Sequence, residues 1–213
     1  MLEQLVSTLD YLGIAIFAAT GALAASRKEL DIVGFIFFAA ITGVGGGTLR
    51  DVLLGLTPVF WMLDGVYVLV CAGVAIIVFF TAHLAESRYR VLLWADAIGL
   101  AAYCVVGAAK GLAAGAGPAG AIVMGLATAT FGGIIRDVLA GERSVILRRE
   151  LYLTPALLGA AAYVALQAAG LLPSLAAALG VLIAFATRAG ALAFSWTLPP
   201  YKARPGRDYP DGL

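Results

Sequence analysis

Gly43-Val44-Gly45-Gly46-Gly47-Thr48-Leu49-Arg50-Asp51 lies inside a stretch apolar enough to cross a bilayer. Three consecutive glycines weaken a helix where lipid gives the backbone no other partner. Two opposite charges follow within a turn. A membrane helix carries both features only where protein or cavity water, not lipid, surrounds them.

The surroundings are those of a membrane protein. Of 213 residues, 62% are hydrophobic and 13% charged, and the mean hydropathy is +0.98. A soluble domain of this length needs more polar surface. Seven segments, at about 4–26, 31–55, 65–85, 90–112, 117–140, 151–171 and 174–198, approach or exceed the roughly 20 apolar residues that cross the hydrocarbon core. The alternation of β-barrel strands is missing from these continuous apolar runs. The reading is an all-α integral membrane protein, with one seven-helix domain over 1–198 and a cytoplasmic tail over 199–213.

Basic residues cluster after spans 1, 3 and 5 and in the tail. They are Arg27 and Lys28, Arg88 and Arg90, Arg143, Arg148 and Arg149, then Lys202, Arg204 and Arg207. The connections after spans 2, 4 and 6 have none. By the positive-inside rule the N-terminus lies outside and the C-terminus in the cytoplasm. Charges placed by topology carry no message about nucleic acid. The opening MLEQL lacks a positive n-region, so span 1 does not read as a cleaved signal. Cys71 and Cys104 read as small core residues rather than as a disulfide or metal site. His83 reads as an interfacial side chain.

The quoted stretch occurs twice. A shift of 86 residues lays Asp10 on Asp96, Gly13 on Gly99, Gly21 on Gly107 and Thr42 on Thr128. It also lays Gly46-Gly47 on Gly132-Gly133, Arg50-Asp51-Val52-Leu53 on Arg136-Asp137-Val138-Leu139, Gly55 on Gly141, and the acidic Asp64 on Glu150. Between 10–55 and 96–141 the shift gives 15 identities in 46 pairs without a gap. Each copy, about 4–85 and 90–171, holds three helices, so the second enters the membrane inverted. Such repeats build pathways between their halves in many transport proteins. Span 7 has no counterpart, which makes the architecture 3+3+1.

Eight charges fall within the spans: Asp10, Arg50, Asp51, Asp96, Lys110, Arg136, Asp137 and Arg188. Each costs about 2.5–3.5 kcal/mol on insertion scales unless it meets a partner or a watery cavity. Depth along the spans predicts Asp10 near Arg50 and Asp96 near Arg136. The alternative is that each arginine snorkels to its nearer interface. Lys110 aligns with Ala24 and so breaks the pseudosymmetry. Arg188, well inside span 7, must contact the other helices or a cavity. The glycines Gly45, Gly46, Gly47, Gly132 and Gly133 predict a kink or local unwinding in spans 2 and 5, since three in a row cover several faces. Close helix packing is the other reading.

No nucleotide loop is present, because no Lys-Ser/Thr follows GVGGGT. No Ser/His, HExxH or paired catalytic Asp pattern appears either, so an enzyme is not expected, nor a cofactor. The runs DYLGIAIFAATGALAASRKELDIVG (10–34), GVGGGTLRDVLLGLTPVFW (43–61) and FGGIIRDVLAG (131–141) resemble the prokaryotic trimeric intracellular cation (TRIC) channels, some of whose relatives are labelled glycine transporters. The resemblance implies a prokaryotic cell-membrane homotrimer, one pore per protomer, lined by glycine-kinked spans 2 and 5 and passing K⁺ and other monovalent cations such as Na⁺. Eukaryotic members carry a Lys-Glu-Val motif in place of GGGTLRD, so their lipid regulation is not carried over; the implied partners are the ions, surrounding membrane lipid and the other protomers.

The eight intramembrane charges sum to zero and do not themselves select cations. Thr42, Thr48 and Thr128 hydroxyls, Asp51 and Asp137, and carbonyls freed at glycine breaks are the candidate replacements for ion hydration. Arg50, Arg136 and Lys110 are candidate plugs, with Asp10, Asp96 and Arg188 as supporting charge partners. A carrier for a small zwitterion such as glycine is the second reading, and a membrane scaffold the third.

Overall fold

The computed structural model describes residues 2–147, 150–199 and 201, with side chains from residue 7 onward. Its helices are α1 (Leu2–Arg27), α2 (Ile32–Leu53), the short α3 (Phe60–Leu63), α4 (Val66–Thr81), α5 (Arg88–Ala113), α6 (Pro118–Leu139), α7 (Leu153–Ala168) and α8 (Pro173–Phe194). Six of the segments are long and apolar enough to cross a membrane. The seventh, α7, is apolar but 16 residues long, about 24 Å at 1.5 Å per residue. The four-residue α3 was not foreseen from sequence. The proposed tail at 199–213 falls almost wholly outside the described residues.

Local chemistry sets the helix ends. Asp31 caps α2 by accepting the Gly34 N–H at 2.7 Å, and Ser87 caps α5 through the Arg90 N–H. Pro118 and Pro173 open α6 and α8, where a missing N–H costs nothing. At the far ends of α2 and α6, Gly55 and Gly141 take φ of +70° and +63°. The Leu56 N–H then bonds the Asp51 carbonyl, and the Glu142 N–H bonds the Asp137 carbonyl, both at 2.9 Å. These are paired Schellman ends, one per repeat.

The packing repeats as well. Helices α1, α2, α5 and α6 form the centre. Helix α4 covers α1 and α2, while α7 covers α5 and α6; α8 adds to α5 and α7. A Cβ on Gly21 would strike the Phe38 carbonyl and stand 2.7 Å from Thr42 Oγ1. Its repeat partner Gly107 faces the Met124 carbonyl at 2.7 Å and Thr128 Oγ1 at 2.6 Å. Small residues let these backbones approach closely, which is how apolar helices associate in lipid. Helix α5 is the most enclosed of the long helices and α4 the least, with Leu69, Ile77 and Phe80 exposed on its outer face.

Candidate functional site

The glycine run marks the junction of the repeats. Helical hydrogen bonding continues through Gly43–Gly47 in α2 and through Gly132-Gly133 in α6. Of the kink or local unwinding expected from the sequence, the unwinding is therefore corrected, and the glycines make close helix contacts. A Cβ on Gly46 would overlap the Thr128 carbonyl oxygen, and one on Gly132 would overlap the Thr42 carbonyl oxygen. These four residues are related by the 86-residue shift, so α2 and α6 cross at a reciprocal contact. Gly45 lies beside the same crossing, 3.4 Å from Ile135 Cδ1 by its virtual Cβ. Gly47 and Gly133 serve other neighbours: the Phe60 ring at 2.6 Å and the Tyr152 hydroxyl at 2.7 Å. With the helices intact, carbonyls freed by glycine breaks are not there to replace ion hydration.

The threonines expected beside the path bond within their own helices. Thr42, Thr48 and Thr128 donate to the Phe38, Val44 and Met124 carbonyls at 2.6–2.7 Å. Thr42 and Thr128 are buried at the crossing. Thr48 is half-buried and accepts the Trp61 indole N–H at 3.0 Å.

Neither arginine of the repeated Arg-Asp pair snorkels. Arg50 and Arg136 are 1% and 0% exposed. Arg50 donates from Nε and Nη2 to Asp51 Oδ1 at 2.9 and 2.6 Å. The other Asp51 oxygen accepts the Phe60 N–H at 2.9 Å. In the second repeat Arg136 Nε donates to Asp137 Oδ1 at 2.9 Å, and Asp137 Oδ2 accepts the Val145 N–H at 2.8 Å. Each aspartate thus neutralises its neighbouring arginine with one oxygen and pins the returning chain with the other. Adjacent charges on one helix satisfy each other without leaving the protein interior, which lowers the cost of burying both.

The two predicted cross-helix pairs have different fates. Arg136 Nη1 meets Asp96 Oδ1 at 2.8 Å, as expected, and also donates to Thr20 Oγ1 at 2.9 Å. Asp10 does not pair with Arg50 among the described contacts; its carboxylate instead takes the Lys110 ammonium. The cause is the asymmetry noted in the sequence. Lys110 reaches Asp10 from α5, whereas Ala24, its counterpart on α1, offers Asp96 nothing. Arg188 is fully buried, donates to the Leu151 carbonyl at 2.7 Å, lies 3.6 Å from Glu150 and stacks its guanidinium on the Tyr152 ring at 5.2 Å. It fixes the α6–α7 connection, where Glu150 also bridges to Thr197 beyond α8.

Sequence reasoning missed the aromatic residues of the site. Phe60 sits 5.5 Å from both the Arg50 guanidinium and the Lys110 ammonium. Tyr11 stacks on Tyr67 with centroids 4.5 Å apart. The Tyr67 hydroxyl reaches Asp10 at 3.4 Å, and Tyr103 donates to the Asp10 carbonyl at 3.3 Å. Tyr11 donates to Asp64 at 2.7 Å; with the Val66 N–H, it holds the Asp64 carboxyl below the usual carboxylate range. Only the alignment of Asp64 with Glu150 hinted at this ring, since aromatic residues are unremarkable in apolar spans. Cys71 and Cys104 are buried and free, and His83 is exposed at the end of α4.

Apolar helices long enough to cross a membrane, packed as two repeated units with buried charges between them, are those of a multi-pass all-α membrane protein. A family model described as "Glycine transporter" matches residues 7–83 and again residues 93–168. A UPF0126 membrane protein of Vibrio cholerae is 38% identical over 202 residues, covering 93% of this chain and 83% of its own. The UPF0126 inner membrane protein YadS of Escherichia coli K12 is 35% identical, covering 93% and 97%. Among solved structures, a TRIC trimeric intracellular cation channel orthologue from Rhodobacter sphaeroides is 57% identical with a TM-score of 0.89, covering 90% of this chain and 99% of its own. A prokaryotic TRIC channel in 0.5 M KCl is 28% identical with a TM-score of 0.86, covering 92% and 100%. The chain belongs to the TRIC channel family, which here also carries the glycine-transporter and UPF0126 descriptions. It is a family of channels, not of enzymes.

Proposed function

We propose that the protein is a channel for monovalent cations, K⁺ foremost and Na⁺ with it, with a separate path inside each protomer of a homotrimer. The observation that carries this reading is the 57% identity over nine tenths of the chain to a TRIC cation channel. The residues add a route. It runs along the junction of α1, α2, α5 and α6, from Lys110, Asp10, Arg50 and Asp51 at one face to Asp96, Arg136 and Asp137 at the other. Gly45, Gly46, Gly132, Thr42 and Thr128 hold α2 and α6 together along it, and Gly47, Gly133 and Thr48 seat Phe60, Tyr152 and Trp61 beside it. The basic connections face the cytoplasm, and the N-terminus lies outside.

Lys110 is the gating candidate, because its side chain is 28% exposed while those of Arg50 and Arg136 are sealed in by their aspartates. Replacing Lys110 with Ala is expected to raise or deregulate conductance; unchanged open probability across voltages would count against the role. The reading as a whole is tested by recording purified protein in planar bilayers under K⁺, Na⁺ and Cl⁻ gradients. Unitary currents reversing near the cation equilibrium potentials are expected. The second reading, a carrier for glycine, is favoured by the description of the matched family model. Saturable, competable glycine uptake without unitary currents would replace the channel by the carrier.

A further inference from the structure

We propose that the Asp10 carboxylate, the Phe60 ring and the Tyr67 hydroxyl form a binding site for a small monovalent cation, K⁺ or a primary ammonium, which Lys110 fills as a tethered ammonium. The inference deepens the conduction reading, and rests on it for the physiological use of the site but not for its geometry.

The Asp10 side chain is 3% exposed, and that of Lys110 is 28% exposed. The anion therefore belongs to the interior, and the cation enters from the open side. A desolvated carboxylate of this kind requires a countercharge. Arg50, the repeat equivalent of the arginine that neutralises Asp96, directs both Nε and Nη2 to Asp51. Lys110 supplies the charge instead, with its ammonium on Asp10 Oδ2 and 5.5 Å from the Phe60 centroid. Tyr67 Oη stands 3.4 Å from the same carboxylate oxygen and packs edge-on to Phe60 at 4.8 Å. Carboxylate, hydroxyl and aromatic face are the groups that hold compact monovalent cations and alkylammonium ions.

The second repeat is an internal control. There Asp96 pairs with a guanidinium that is fully buried and also tied to Asp137 and Thr20. Among the described residues no lysine reaches it, and Ala24 stands where the repeat would place one. The planar, multiply bonded arginine is a permanent partner. The lysine is a point charge on a flexible four-carbon stem, and a free ion of the same charge replaces it without rearranging the surrounding helices.

The test is a cation titration of Lys110→Ala in detergent, with KCl or methylammonium chloride replacing N-methylglucamine chloride at constant ionic strength. The unfolding temperature is the readout. Both small cations are expected to raise it saturably in Lys110→Ala, with half-effect in roughly the millimolar range and at least about tenfold tighter than in the wild type. Asp10→Asn in the Lys110→Ala background is expected to abolish the effect, and Lys110→Arg to behave as the wild type. Lys110→Met, which keeps the apolar stem, serves where Lys110→Ala does not fold. Equal responses in variant and wild type, or a response that survives Asp10→Asn, overturn the proposal, as would Arg50 taking over Asp10 and leaving no cation binding. Loss of fold in both Lys110→Ala and Lys110→Met, even in methylammonium, makes Lys110 a structural strut and also overturns it. K⁺ currents on the same preparations separate the two ideas: currents without Asp10-dependent binding reject the site alone, and binding without currents rejects conduction alone.

Discussion

At the scale of single residues, the duplicated Arg-Asp pair is a structural joint before it is anything else. One carboxylate oxygen neutralises a buried guanidinium and the other fastens the backbone that follows the helix. The joints differ in redundancy, since Arg136 has a second carboxylate in Asp96 whereas Arg50 has only Asp51 among the described ion pairs. Asp51→Ala is therefore expected to cost about 3–5 kcal/mol, the usual penalty for stranding a buried charge. Asp137→Ala should cost distinctly less, and denaturant unfolding in detergent measures both. Equal losses would show that Asp96 does not share the charge of Arg136. Asp96–Arg136 was legible in the sequence because depth along two spans is enough to juxtapose two residues. Asp10–Arg50 forms no direct ion pair among the described contacts because the competitor, Lys110, comes from a third helix. Its reach depends on how α5 packs on α1, which depth does not encode.

At the scale of elements, the glycines are contact surfaces. Gly46 and Gly132 each face a partner threonine carbonyl that leaves no room for a Cβ. Gly46→Ala or Gly132→Ala should push α2 and α6 apart at a cost of about 1–3 kcal/mol, the range for overpacking. The double variant should cost less than the sum, because one separation relieves both clashes. Gly73→Ala, with nothing within 4 Å, is the neutral control on α4. Gly45 discriminates the two readings: its virtual Cβ makes only ordinary contact, so packing expects Gly45→Ala to be mild, and a kink at the triple glycine expects it to be as severe as Gly46→Ala. Thermal unfolding in one detergent ranks all five variants. The existence of seven apolar segments was readable from composition. The choice between loosening and packing was not, since it is made by whatever the glycine faces.

At the scale of the whole molecule, the basic clusters predict a sidedness that labelling can check. A cysteine at Ser87, before α5, should react with an impermeant maleimide only from the cytoplasmic side. One at Ala116, between α5 and α6, should react only from outside; the reverse pattern would invert the topology. The membrane class, the seven segments and the inverted duplication were determined by the sequence alone. Transfer of apolar runs into lipid is a one-dimensional property, and a constant 86-residue offset survives without any knowledge of contacts. Pairing was decided only in three dimensions. Within the helical run Gly43–Asp51, Gly46 admits the Thr128 carbonyl of the other repeat, a partner that only the packing of α2 on α6 supplies. Asp10 answers to Lys110 because packing of α1 on α5 brings an ammonium nearer than the expected arginine, which its own neighbour Asp51 already holds.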